Sequence, residues 1–327
     1  MSEKAKIVYF GSDAICLPGL RYLHEEAGDR CVVDAVVSQP DRRQGRGKRL
    51  MRNPVAAYAG ERGLTLLQPE KPDRALAERL AAAGTAAGVV MAYGHFLPRL
   101  LREAPAHGMI NFHGSILPEY RGASPVETAI AEGETETGVC LMRVVKEMDA
   151  GGVADCERVC IEDSDTSVEV REKIGRAVRP LLERQLDALL AGELEFEPQD
   201  RTRASYCRKI SKEDGAIDFG LSAKRIRDRL RAFTPWPGAY FEHGATRIRV
   251  GWMEAWPQAD APHPPGTVVA GGEDLTVATG DGLVRFTTLQ RPGGKLLPAS
   301  DFLRGHPIGE GELLKGGKAR PLVRKEP

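Results

Sequence analysis

The chain predicts an α/β fold: a doubly wound, mostly parallel sheet in its first part and a small antiparallel β-barrel in its last. Three observations carry this. Its 327 residues exceed what one ordinary core organises, so two domains are expected. Apolar strand-like runs alternate with helix-like segments through the first half. Beyond Pro235-Trp236-Pro237-Gly238 the pattern changes to short strands punctuated by glycine turns.

Taken in order, Lys6–Phe10, Val32–Ser38, Gly88–Tyr93 and Met109–His113 read as buried parallel strands, with a helix around Arg74–Ala83. Gly11-Ser12-Asp13 follows the first strand without the GxGxxG spacing of a dinucleotide site, so it reads as a plain strand-to-helix turn. Gly138–Val145 reads as a further strand. Ser124-Pro125-Val126-Glu127 and Thr166-Ser167-Val168-Glu169 both have capping-box spacing, and Pro180 should break or kink the helix that starts at the second. Residues 192–206 are polar, carry Pro198 and read as a linker, giving a first domain over 1–191 and a second over 207–327. Ser222 should cap a helix with a core stripe of Ile226, Leu230 and Phe233; its five basic residues read as a solvated face. Tyr240–Glu242, Thr246–Glu254, Gly266–Ala270, Leu275–Thr279 and Leu283–Gln290 then read as five strands, as in an OB-fold.

Charge is balanced, 46 basic against 46 acidic residues, which argues against wholesale coating of nucleic acid. The distribution is uneven. Residues 41–52 hold six basic side chains against Asp41, and residues 201–231 hold ten against four acids. Such clusters make local polyanion-binding surfaces. The six cysteines form no CxxC pair and fit neither a zinc site nor a disulfide framework, so reduced, packed thiols are expected. No metal site is expected. No apolar run approaches the ~18 residues of a membrane span. The start runs straight into a strand, with no targeting segment expected, and the expected compartment is the cytoplasm.

The chemistry concentrates at Asn111-Phe112-His113-Gly114-Ser115-Ile116-Leu117-Pro118-Glu119-Tyr120-Arg121-Gly122. Strand residues two apart share a face, so Asn111 and His113 converge at a strand's carboxyl end, where open α/β sheets bind ligands. An amide and an imidazole there suit an acyl centre: both offer N–H donors to a developing oxyanion. Asp149, before Ala150-Gly151-Gly152, is the best-placed carboxylate to orient the imidazole. Each residue has a plainer reading as well. A strand-end Asn also serves turns, a lone His often packs, and Asp before glycines is turn chemistry. Residue types alone leave these alternatives open.

The stretch Asn111 to Pro118 with Arg121-Gly122 resembles the signature of folate-dependent formyltransferases, and Asp149 falls where that family has its catalytic aspartate. The resemblance runs over nearly the whole chain. Gln39 to Leu50 is similar to the basic loop of members acting on charged initiator tRNA. Ala92 to Pro98 resembles a folate-pocket strand end, Tyr206 to Asp218 the start of the C-terminal domain, and Arg231 to Gly238 that domain's helix end.

The resemblance implies a Rossmann-like formyltransferase domain with a C-terminal OB-fold-like β-barrel. It implies 10-formyltetrahydrofolate as donor and initiator methionyl-tRNA as acceptor. Asn111 and His113 would polarise the formyl carbonyl, and Asp149 would set the protonation of His113. Ser115, Ile116, Leu117 and Pro118, with Tyr93 and Leu97, would line the folate site. Arg42, Arg43, Arg46, Lys48 and Arg49 would grip the acceptor end of the tRNA, and the barrel its backbone. A monomer is expected. Glu119, His95, Ala150 and Gly152 depart from the family's usual residues. Two other readings compete: transfer to an amino sugar nucleotide, which needs neither the basic loop nor the barrel, and a non-catalytic RNA-binding protein, for which a complete Asn111, His113 and Asp149 set has no use.

Overall fold

The computed structural model describes residues 4–44, 49–257, 259 and 263–325. Contacts divide the chain into two units. The first holds Met1–Gly122, Glu136–Cys160 and Arg171–Ser205; the second holds Ala123–Thr135, Ile161–Val170 and Tyr206–Pro327.

The first unit is built on a seven-stranded sheet: β1 (Ala5–Phe10), β2 (Cys31–Val37), β3 (Leu66–Leu67), β4 (Thr85–Val90), β5 (Met109–His113), β6 (Glu136–Arg143) and β7 (Val153–Cys160). Their order is β7-β6-β5-β4-β1-β2-β3. Pairs from β3 to β5 are parallel, and β6 and β7 add antiparallel strands at one side. β1 is an interior strand between β4 and β2, and Ile7, Val8, Tyr9 and Phe10 are wholly buried. Such a strand is covered on both faces, which explains a continuous apolar run rather than an alternating one.

Helices start where side chains can satisfy their first amides. Asn53 accepts from Ala56 N at 2.9 Å ahead of Pro54–Glu61, and Asp73 accepts from Leu76 N at 2.9 Å ahead of Arg74–Ala82. The long helix Ser167–Ala191 continues through Pro180, so of the break or kink expected there the break does not occur. Leu181, Leu182, Leu186 and Leu189 beyond the proline are all buried, and that burial outweighs the one backbone bond proline removes.

One further expectation is corrected in this unit. Cys140 and Cys156 are joined by a disulfide, although reduced thiols were expected. They are 16 residues apart in sequence but directly opposed across β6 and β7, a register that spacing rules do not see. Cysteine usage therefore no longer argues for a reducing compartment. The stretch read as a linker is also bound into the sheet's neighbourhood: Val153 and Glu197 exchange two backbone hydrogen bonds of 2.9 Å.

The second unit holds an antiparallel sheet of β8 (Ala239–His243), β9 (Thr246–Trp256), β10 (Val268–Ala270), β11 (Leu275–Ala278) and β12 (Leu283–Gln290), ordered β8-β9-β12-β11-β10. Leu297–Pro298 pairs with β12 as a short sixth strand. Gly244, between β8 and β9, and Gly282, between β11 and β12, take positive φ, as glycine turns between short strands require. Irregular register on either side of Trp252 in β9 curls the sheet, as bulges do. The curl encloses a core that includes Phe219, Phe241, Phe286 and Leu289.

Thr166 and Glu169 form the expected cap, with Thr166 N donating to Glu169 Oε2 at 2.8 Å. Ser124 does not: it caps nothing, and its hydroxyl accepts from Ile210 N at 3.4 Å instead. The basic helix Ala223–Ala232 is not a solvated face. Arg225 pairs with Glu132 at 3.0 Å, Lys224 with Asp228 at 2.7 Å, and both Arg229 and Arg231 are buried.

Candidate active site

Strand β5 delivers Asn111 and His113 to one face near its carboxyl end, as the alternation of side chains requires. His113 is 5% exposed, and its Nε2 lies 2.9 Å from the Tyr120 carbonyl oxygen. A carbonyl can only accept, so Nε2 carries a hydrogen in this arrangement. The other ring nitrogen, Nδ1, faces Asp149 Oδ2 at 3.7 Å. That spacing suits an ion pair when the ring is protonated and is too long for a good hydrogen bond. The Asn111 amide makes no hydrogen bond to the described residues, so its N–H donors remain available for a ligand.

Backbone geometry around the site is unusual. Three non-glycine residues have positive φ among the described residues: Ala92 (43°), Tyr120 (57°) and Asp149 (49°). Such conformations cost about 1–3 kcal/mol each and persist only where the surroundings impose them. All three stand at or beside the site. Tyr120 turns its carbonyl to His113, and Asp149 turns its carboxylate to His113 and to Gly122 N at 2.9 Å. A side chain at Gly151 would put its Cβ 1.9 Å from the Arg143 carbonyl oxygen, so the loop behind Asp149 can close this tightly only on glycine.

The expected folate-lining residues fall into two groups. Ser115 is wholly buried and donates to the Glu119 carbonyl at 2.6 Å, bracing the turn. Leu117 packs with Cys140 and Met142, Ile116 joins that cluster, and the Leu117-Pro118 peptide is cis. Tyr93 and Leu97 belong to the core with Phe10; the Tyr93 and Phe10 rings meet edge to face at 5.3 Å. The Tyr93 hydroxyl is buried with no hydrogen-bond partner among the described residues, and burial pushes its ionisation up to about 12.

Four further groups that the motifs did not single out stand on or against the loops of the site. Phe96 is 68% exposed and Met148 is 66% exposed, on the loops that carry Tyr93 and Asp149. The Tyr120 carbonyl and the Gln199 amide also belong to the site. A backbone oxygen has no sequence signal, and Gln199 lies in the polar stretch read as a linker. A cleft of about 590 Å³ opens along the start of β5 and the end of β6, lined by Arg102, His107, Met109, Arg143, Val144 and Lys146 among others; Asn111, His113 and Asp149 do not line it.

The basic loop forms a two-stranded ribbon, Arg42–Gln44 against Arg49–Met51. Arg42, Arg43 and Arg49 are exposed, and so are Leu50 and Met51. The ribbon's base is held by Asp41, which accepts from Gln68 at 2.9 Å. Arg46 and Lys48 lie outside the described residues. Among the described residues no cluster of His, Cys, Asp or Glu is arranged to hold a metal ion, and no helix is long and apolar enough to cross a membrane.

Comparison with known proteins adds the following. Residues 5–185 match the family model described as formyl transferase, and residues 209–307 match its C-terminal domain. A methionyl-tRNA formyltransferase from Myxococcus xanthus is 39% identical over 94% of this chain and 97% of its own length. One from Thermobifida fusca is 38% identical over 94% and 98%. Among solved structures, the N-formyltransferase of Helicobacter canadensis with folinic acid and dTDP-3-aminofucose superposes with a TM-score of 0.64 at 16% identity, covering 88% of this chain and 100% of its own. HypX from Aquifex aeolicus in complex with tetrahydrofolic acid superposes with a TM-score of 0.59 at 16% identity, over 98% and 51%. At that identity the structures speak to fold alone.

Proposed function

The chain belongs to the methionyl-tRNA formyltransferase family, and from that premise we propose that Asn111, His113 and Asp149 carry a formyl group from 10-formyltetrahydrofolate to the methionyl amine of initiator tRNA. The observation that carries the assignment is one constellation: an unengaged amide, an imidazole with one nitrogen tied to a carbonyl, and a carboxylate 3.7 Å from the other nitrogen.

The roles follow from what each group has left to give. Attack of the amine on the formyl carbon turns the carbonyl oxygen into an oxyanion and leaves a positive charge on the attacking nitrogen. Asn111 is the fixed donor for that oxyanion, stronger in the transition state than in the ground state. His113 spends its Nε2 hydrogen on Tyr120, so Nδ1 is the nitrogen that accepts the amine's proton. Asp149 faces the imidazolium formed and stabilises it. His113 then returns the proton to the folate nitrogen as its bond to the formyl carbon breaks. This sharpens the sequence expectation, in which Asn111 and His113 shared the carbonyl oxygen.

Exposed Phe96 and Met148 supply apolar surface for the flat rings of the donor, with Tyr93, Leu97 and residues 115–118 forming the framework behind them. Arg42, Arg43 and Arg49, with Leu50 and Met51 paired opposite Arg43 and Arg42, form the surface for the tRNA acceptor end. Acting on initiator tRNA places the reaction in the cytoplasm.

Single-turnover formylation tests the assignment. His113→Ala, Asp149→Asn and Asn111→Ala are each expected to slow the chemical step by about 10²–10⁴-fold with the fold intact. Near-normal rates in all three would remove the site from the chemistry.

A further inference from the structure

We propose that Gln199, through Arg121, is a positioning residue that holds Asp149 in its working orientation; the inference rests on the role given to Asp149 above. Gln199 spends its whole amide on the site. Its Nε2 donates to the Asp149 carbonyl at 2.9 Å and to the Gly151 carbonyl at 2.6 Å. Its Oε1 accepts from Arg121 Nε at 3.0 Å and Nη2 at 2.7 Å. Arg121 is 3% exposed, so this fork is shielded from water.

The arrangement closes a loop around the reacting groups. Three consecutive residues each touch a different part of it: the Tyr120 carbonyl takes His113 Nε2, the Arg121 side chain takes Gln199, and Gly122 N takes Asp149 Oδ2. Asp149 needs such support because its backbone stands at φ 49°, a conformation a non-glycine residue leaves when released. Two donors from one amide pin the carbonyls on either side of Ala150 and so fix that conformation. A shift of the carboxylate by about 1 Å is enough to cost a hundredfold in rate.

The experiment is a double-mutant cycle between residues 199 and 149 in the full chain. Gln199→Glu keeps an oxygen for Arg121 but replaces both N–H donors with oxygen facing two carbonyls. Gln199→Met removes the contacts without adding charge and serves if the first variant unfolds; heat unfolding reports which variants are folded. The expected result is a kcat lowered about 10–100-fold, with KM for the formyl donor and for tRNA within about twofold of wild type. In the Asp149→Asn background the same change should cost no more than about twofold further, because the group it positions is already gone. A kcat near wild type in folded Gln199 variants, or losses that simply multiply, would overturn the positioning role while leaving Asp149 in place. An Asp149→Asn enzyme with normal kcat would overturn both assignments.

Discussion

At the scale of the residue, the site is made by side chains that are denied their ordinary partners. Asn111 has an amide with no hydrogen-bond partner among the described residues, and His113 has one nitrogen engaged and one directed at a carboxylate. Tyr93 shows the same trait inside the core, where its hydroxyl is buried without a partner among the described residues. A buried, unpaired hydroxyl costs about 1–3 kcal/mol, a cost that a hydrogen bond to the bound formyl donor would offset. Tyr93→Phe is therefore expected to leave the melting temperature unchanged or higher and to raise KM for 10-formyltetrahydrofolate several-fold, with kcat little altered. Thermal unfolding and donor-saturation kinetics on the same preparation check this. An unchanged KM would make Tyr93 a packing residue alone.

At the scale of the element, the ribbon Arg42–Gln44/Arg49–Met51 combines exposed guanidinium groups with exposed Leu50 and Met51. It is too short to hold itself by a core of its own. Its anchoring comes from Asp41, which takes Gln68 on one oxygen and lies 3.7 Å from Arg52. Reversing charge at Arg42 and Arg49 should raise KM for tRNA by an order of magnitude or more and leave KM for the folate donor alone. Because each lost phosphate contact releases fewer counterions, the dependence of tRNA affinity on salt should flatten by about 0.7–0.9 in log–log slope per residue. Unaltered salt dependence would place the acceptor elsewhere. The basic helix Ala223–Ala232 makes a contrasting case: Arg225 and Arg231 pair with Glu132 and Asp228, Arg227 donates to the Asp163 carbonyl and Arg229 is buried, so its charge serves packing within its own unit.

At the scale of the whole molecule, the features legible in sequence are those with a local cause. Strand β1 and the strands β9 and β12 follow from apolar periodicity, the turns at Gly244 and Gly282 from glycine's freedom at positive φ, and Asn111, His113 and Asp149 from motif spacing. What escaped depends on contacts between distant segments. The disulfide exists because β6 and β7 align Cys140 with Cys156. The helix passes Pro180 because buried leucines on its far side hold it. Gln199 reaches the Asp149 loop because residues 192–205 fold back to it, which no composition rule for a polar, proline-bearing stretch foresees. The assembled account makes one claim above all: formyl moves from a folate to an aminoacylated tRNA. The direct measurement offers 10-formyltetrahydrofolate labelled in its formyl group to purified protein with methionyl-initiator tRNA and, separately, with an amino sugar nucleotide. Label appearing on the methionyl amine alone, and only with the donor present, is the result expected. Label on the sugar, or binding of tRNA without transfer, would contradict it.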